Sequence, residues 1–167
     1  MKTLSKIVMV SVVALMALAA FVPTAYAAQP DLSGNNIVDI ASGNPAFSTL
    51  TAAVTCTGLA PALSRKGQFT VFAPTNDAFG KLGLDASNVC SALPKAQLTN
   101  ILLYHVARGA RYASDVVASD RIRMLNKGFT YPSVSNGNAY INNAQITATD
   151  IRASNGVIHV IDTVLMP

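Results

Sequence analysis

Between Gln68 and Leu82 the chain reads QFTVFAPTNDAFGKL, a stretch that leaves a polypeptide little choice of structure. Phe69, Val71 and Ala73 alternate with Thr70 and Phe72, and the aromatic and β-branched content suits a pleated, half-buried strand. Pro74 has no N–H to give a ladder, so the strand ends there. Thr75 follows where a helix N-cap belongs, its hydroxyl placed to accept from a free backbone N–H. Asp77 falls in the first helical turn, where a negative charge meets the positive end of the helix dipole. Phe79 and Leu82, three apart, are expected to carry the helix's apolar face onto the sheet. Fifteen residues thus encode a strand, a stop, a cap and a docked helix.

Upstream, Ile37 to Ala41 suits a brief helix, and Asn44-Pro45 pairs an N-cap with a proline at the first helical position. Phe47, Leu50 and Val54 recur at helical spacing, and Leu59 and Leu63 add a further turn or two. Downstream, Asp85 to Leu93 looks irregular, with a short turn of helix as the alternative. Pro94 then opens a helix in which Leu98, Ile101, Leu102 and His105 share a face, giving way to extended chain near Tyr104–Ala107. Ser114 is the expected cap of a short helix through Val117. Strands are expected at Arg121–Leu125, Phe129–Val134, Ala139–Ile141, Gln145–Ile151 and Val157–Ile161. Between them stand the turn signals Lys127-Gly128, Asn136-Gly137, Asn142-Asn143 and Asn155-Gly156. Helices first and strands later indicate an α+β fold rather than alternating α/β.

FTVFAPTNDAF resembles the signature segment of the fasciclin domain, an extracellular module. LLYHV at Leu102–Val106 and NGVIHVIDTVLMP at Asn155–Pro167 resemble two further parts of the same pattern, in the same order, and the opening NNIVDIASGNPAFSTLTAAV resembles its helical start. The resemblance runs from about Asn36 to Pro167. It implies a fasciclin-like fold, an N-terminal helical half packed on a twisted, antiparallel-rich β-wedge, with residues 36–167 as one domain. It also implies a non-enzymatic adhesion or matrix-interaction module whose partner is an extracellular or cell-surface macromolecule. Fold and function separate readily, so the second implication is the weaker.

Residues 1–27 are read as a cleaved signal peptide. Lys2 and Lys6 form a basic start, Ile7–Val22 an apolar run shorter than a spanning helix needs, and Ala25-Tyr26-Ala27 a small-x-small cleavage site. Residues 28–35 make a flexible lead-in. The mature form is therefore expected outside the cytoplasm and not spanning a membrane. Losing Lys2 and Lys6 leaves ten basic residues against eight acidic ones, a net charge of +2. No Lys/Arg run exceeds Arg65-Lys66, so no nucleic-acid partner is expected. There is no Asn-x-Ser/Thr acceptor, and no anchor motif follows the last strand.

An enzyme is not expected. Two histidines, no Glu, and none of the phosphate-loop, zinc-protease or nucleophile-elbow motifs are present. His105 is read as a core histidine held by a backbone group or a carboxylate, with Asp77 as candidate partner. The resemblance offers a sharper role, Tyr104-His105 as part of a recognition surface, and the two readings coexist if Tyr104 is partly exposed. His159 is expected to face solvent from its strand, and with one other histidine no metal site is expected. Asp162 is expected to tie down a neighbouring backbone N–H. Cys56 and Cys90, an even pair in an exported chain, favour a disulfide, with two separate buried thiols as the alternative. Arg108, Arg111, Arg121, Arg123 and Lys127 make the middle of the chain basic and read mainly as a dispersed, solvated face, with a modest preference for anionic matrix polymers or membrane headgroups as the alternative. No cofactor is implied. The competing functional class is a carrier of a hydrophobic small molecule such as a carotenoid or lipid, and an extracellular hydrolase is a weaker third.

Overall fold

In the computed structural model the described residues are 34–167, so the expected signal peptide lies outside them. Seven short helices and eight strands follow in the order the sequence suggests. The helices are α1 (Ile37–Ser42), α2 (Ser48–Thr57), α3 (Ala60–Leu63), α4 (Asn76–Gly80), α5 (Val89–Ala92), α6 (Lys95–Tyr104) and α7 (Ala113–Val117), with a 3-10 turn at Pro45–Phe47. The strands are β1 (Phe69–Pro74), β2 (Val106–Arg108), β3 (Ile122–Arg123), β4 (Phe129–Thr130), β5 (Pro132–Ser135), β6 (Asn138–Ile141), β7 (Ala144–Ala153) and β8 (Gly156–Ile161). The architecture is α+β.

Helix starts follow local side-chain chemistry. Asn36 Oδ1 accepts from the N–H groups of Val38 and Asp39, and Asp39 returns a carboxylate to the Asn36 N–H, a capping box. Asn44 caps the 3-10 turn through the Ala46 N–H. Thr75 Oγ1 accepts from Ala78 N at 3.3 Å and so starts α4. α7 begins at Ala113, two residues earlier than expected. Tyr112 rather than Ser114 holds the cap position, and Asp115 Oδ2 accepts from the Tyr112 N–H.

β1 forms the middle of the molecule. A six-stranded sheet runs in the order β2-β1-β8-β7-β6-β5, and β3 and β4 form a separate hairpin. All neighbours in the large sheet are antiparallel except β1 and β8, which run parallel from Phe69–Gly156 to Pro74–Ile161. The expectation that β1 is half-buried is corrected, since both its faces are covered. Val71 and Ala73 join the helical core with Phe47, Leu50, Phe79, Leu98 and Ile158. Phe72 points the other way, into a second core with Ile122, Ile141, Ile161 and Leu165. Full burial of a side chain of this size stabilises the fold by about 1.5–3 kcal/mol.

Gly156 is required by the β1–β8 pairing. A Cβ added there would fall on the backbone carbonyl of Phe69. The Asn136-Gly137 turn, with φ of 51° and 77°, links β5 to β6 through the two-residue geometry that matches strand twist. Two further expectations change. Phe129–Val134 is not one strand but two, broken at Tyr131, whose N–H is taken by Asn142 Oδ1. Leu82 lies beyond the end of α4 and is 47% exposed, so Phe79 and its neighbour Ala78 dock that helix.

Candidate functional site

Tyr104 and His105 stand where α6 ends and β2 begins. His105 caps α6 through its own N–H to Leu102 O. Its ring bridges two distant parts of the chain: Nε2 accepts from Leu165 N at 2.9 Å, so Nδ1 carries the proton and donates to Ile101 O at 2.8 Å. One donor and one acceptor are what a neutral imidazole offers. Burial pushes its pKa down to about 4, against the opposing pull of the Ile101 carbonyl. Asp77 is therefore not its partner, because backbone groups take both ring nitrogens. Tyr104 Oη donates to Phe129 O at 2.7 Å and accepts from Asn142 Nδ2 at 3.3 Å. The pair is 7% and 2% exposed, so neither side chain lies open at the surface.

His159 does not face solvent, contrary to the sequence expectation. It is fully buried and stacks on Phe72 with ring centres 5.6 Å apart. Alternation fails here because β8 is covered on both faces. Nε2 donates to Arg111 O at 2.8 Å and Nδ1 accepts from Asp150 N at 3.4 Å, again a neutral ring. Burial lowers its pKa, and the Arg111 carbonyl and the Asp150 charge oppose the fall. Asp150 sits at φ 60° in a β7 bulge, and its carboxylate also takes the Ala113 N–H at 2.7 Å.

Asp162 Oδ1 accepts from Gln145 N at 2.9 Å and from Thr163 Oγ1 at 3.0 Å, fastening the end of β8 to β7. Burial pushes its carboxyl up, but the Gln145 N–H, Thr163 and Lys81 outweigh that and hold it below the usual range. The Lys81–Asp162 pair, 3.6 Å apart and well exposed, adds little stability. Asp77 stands in the first turn of α4. Cys56 and Cys90 are bridged, with Cα atoms 6.1 Å apart, joining α2 to α5. Closing a loop of that length is worth about 3–4 kcal/mol in the chain-entropy picture.

Two spaces bear on function. One is an apolar cavity of about 40 Å³ between the helices and the sheet, walled by Phe47, Leu50, Val54, Leu102 and Ile158 and touched by His105. At roughly 10–15 Å³ per water it has room for a few water-sized molecules. The other is a surface that the strand pattern alone did not single out. Among the described residues seven large apolar side chains are exposed, and five of them, Tyr112, Val117, Phe129, Tyr131 and Val134, lie on or beside α7, β4 and β5. α7 packs against β5, which is the last strand of its sheet. The signal in the sequence was Pro132: a proline inside a strand pattern marks an edge, and the aromatics beside an edge are free to face outward. Among the described residues no three His, Cys, Asp or Glu side chains gather as a metal site, and no helix is long and apolar enough to cross a membrane.

Comparisons with known proteins agree with this architecture. The Fasciclin domain family model matches residues 45–167. Protein sll1483 of Synechocystis is 45% identical over 138 residues, covering 81% of this chain and 75% of that protein. The transforming growth factor-beta-induced protein ig-h3 of pig is 38% identical over 131 residues, 78% of this chain, which spans only 19% of ig-h3. A solved FAS1 domain pair from the insect cell adhesion molecule fasciclin I superposes with a TM-score of 0.70 at 20% identity, over 80% of this chain and 51% of that one. The parallel β1–β8 pair, the helical half and the buried Tyr104–His105 junction are thus features of a chain that belongs to the fasciclin-domain family.

Proposed function

We propose that this chain is a secreted, non-enzymatic adhesion or matrix-interaction module. It engages an extracellular or cell-surface macromolecule through the face made by Tyr112, Val117, Phe129, Tyr131 and Val134. The observation that carries the reading is the concentration on this one region of five of the seven large apolar side chains exposed among the described residues. Exposed apolar groups gathered at a sheet's end are what a partner surface covers, and aromatic residues dominate such contacts. The likeness in fold to a domain pair from an insect cell adhesion molecule gives the same direction. No cofactor is needed for binding of this kind.

Tyr104 acts as a positioning residue in this reading, and His105 as a fixture of the core. Tyr104 Oη holds the Phe129 carbonyl and so fixes the root of the exposed segment, while His105 locks the end of α6 behind it. Thr75, Asp77 and Asp162 serve the scaffold. The carrier alternative draws no support from the cavity between the helices and the sheet, whose volume of about 40 Å³ has no room for a polyene or an acyl chain.

Binding of the exported protein to native extracellular matrix, beside the double variant Tyr131→Ser/Val134→Ser, tests the proposal. Loss of matrix binding by about ten-fold or more with an unchanged melting curve is expected. Full retention of binding by the variant, or a stoichiometric apolar small ligand on the purified protein, would overturn it.

A further inference from the structure

Folding gathers charges that look dispersed along the chain. Arg65, Lys66 and Arg108 line one surface hollow of about 440 Å³. Arg108, Arg111, Arg123 and Lys127 line another of about 480 Å³. The two hollows adjoin at Arg108 and Leu125, which line both. No carboxylate lines either hollow, and the one ion pair among the described residues, Lys81–Asp162, lies elsewhere. Six cations thus face a common trough without counter-charges.

The trough rests on fixed backbone. Arg108 sits on β2 opposite Phe69, and Arg123 sits on β3 opposite Phe129. The two strands are joined by the Leu125 N–H to Val106 O and by the bridge between Ala107 and Met124. Lys127 projects from a tight turn at φ 75°. Arg111 is held on both sides of its main chain, its N–H by Thr70 Oγ1 at 2.9 Å and its carbonyl by His159 Nε2 at 2.8 Å. Its Nε is buried with no hydrogen-bond partner, the kind of donor that proteins rarely leave unsatisfied. The first hollow is also lined by the apolar side chains of Leu59, Leu63, Phe69 and Leu103. Cations beside an apolar lining suit a chain that carries anionic groups at its edges and C–H faces on its rings.

We infer that this trough is a binding site for an acidic polysaccharide, its carboxylates or sulfates paired with Arg108, Arg111 and Arg123 and its sugar rings lying against the apolar lining that includes Leu59 and Phe69. The guanidinium fork matches carboxylate and sulfate oxygens two at a time. A nucleic acid fits less well, because Phe69 is the one aromatic lining either hollow and single strands need a series of stacking platforms. A membrane surface fits less well too, since the apolar groups line a concavity rather than a protruding face. The site is separate from the apolar face proposed above and stands whether or not that face binds a partner.

The test is direct binding of the exported protein to polygalacturonate and to dextran sulfate, with neutral dextran, phosphatidylserine vesicles and a single-stranded oligonucleotide as comparators. The acidic polysaccharides are expected to bind in a salt-sensitive way and neutral dextran not at all. Arg108→Glu and Arg123→Glu, both at exposed positions, should each weaken binding about ten-fold or more. Lys95→Glu makes the same change in net charge at the start of α6, outside both hollows, and should stay within about two-fold. The Tyr131→Ser/Val134→Ser protein should bind the polysaccharides as the parent does. Equal losses in Arg108→Glu and Lys95→Glu would reduce the effect to net charge and overturn the site. So would absence of polysaccharide binding, tighter binding of vesicles or oligonucleotide, or loss of polysaccharide binding in the apolar-face variant.

Discussion

The Tyr104–His105 junction and the Phe129–Val134 segment are joined by one hydrogen bond, from Tyr104 Oη to the Phe129 carbonyl, yet they face opposite demands. At the junction every polar atom named is paired: His105 spends one nitrogen on Ile101 and the other on Leu165. In the segment, Tyr131 and Val134 leave 58% and 60% of their surface to solvent. A buried group must be satisfied or it costs stability, so the junction is fixed by the fold. An exposed apolar side chain contributes little to folding, and its presence in a cluster calls for a partner. Interior atoms should therefore govern stability, and surface atoms binding.

The largest expected effect comes from the interior. Gly156→Ala places a methyl on the Phe69 carbonyl and must part β1 from β8, a change of about 4 kcal/mol or more. The urea midpoint should fall steeply, and a near-parental midpoint would show that the parallel pairing tolerates more space than described.

Acid should break the interior next. His105 is neutral in the fold with a pKa near 4, against an ordinary 6.5, and His159 is lowered in the same direction. Between those values the unfolded chain binds protons that the folded chain refuses. The contribution is complete above about pH 6.5 and is lost as pH falls toward 4, up to roughly 3 kcal/mol for His105. Protonation would also set a second ring N–H against the Leu165 N–H. Denaturation midpoints from pH 7.5 to 4.5 should drop in the parent and drop less in His105→Ala; identical slopes would remove His105 from the account.

Smaller again is Tyr104→Phe, which leaves the Phe129 carbonyl and Asn142 without the shared hydroxyl. It should cost about 1 kcal/mol and loosen the exposed segment. Faster amide exchange at Tyr131 would register that loosening, and unchanged exchange there would uncouple the two regions.

Local chemistry explains which features the sequence made legible. Caps at Asn44 and Thr75, the stop at Pro74 and the turn at Asn136-Gly137 depend on nearest neighbours, and each falls where the pattern put it. Long-range matters were hidden. The covering of β8 on both faces buried His159, and nothing within Val157–Ile161 announces a second core. The partners of His105 are backbone groups 4 and 60 residues away, whereas Asp77 is expected because both residues sit near a sheet–helix junction, and side-chain type alone does not show which backbone groups a buried ring will meet. Likewise Arg65 and Arg123 share one trough only because β2 lies beside β3.

The central claim is that stability resides at the junction and recognition at the exposed face. It is tested most directly by measuring melting temperature and matrix binding side by side for His105→Ala and Tyr131→Ser/Val134→Ser. The account predicts a crossed result. His105→Ala loses about 1–3 kcal/mol of stability and keeps matrix binding at temperatures where it remains folded. The surface variant melts within about 0.5 kcal/mol of the parent and loses binding. The opposite pattern, a stable His105→Ala protein that no longer binds beside a surface variant that binds in full, would contradict it.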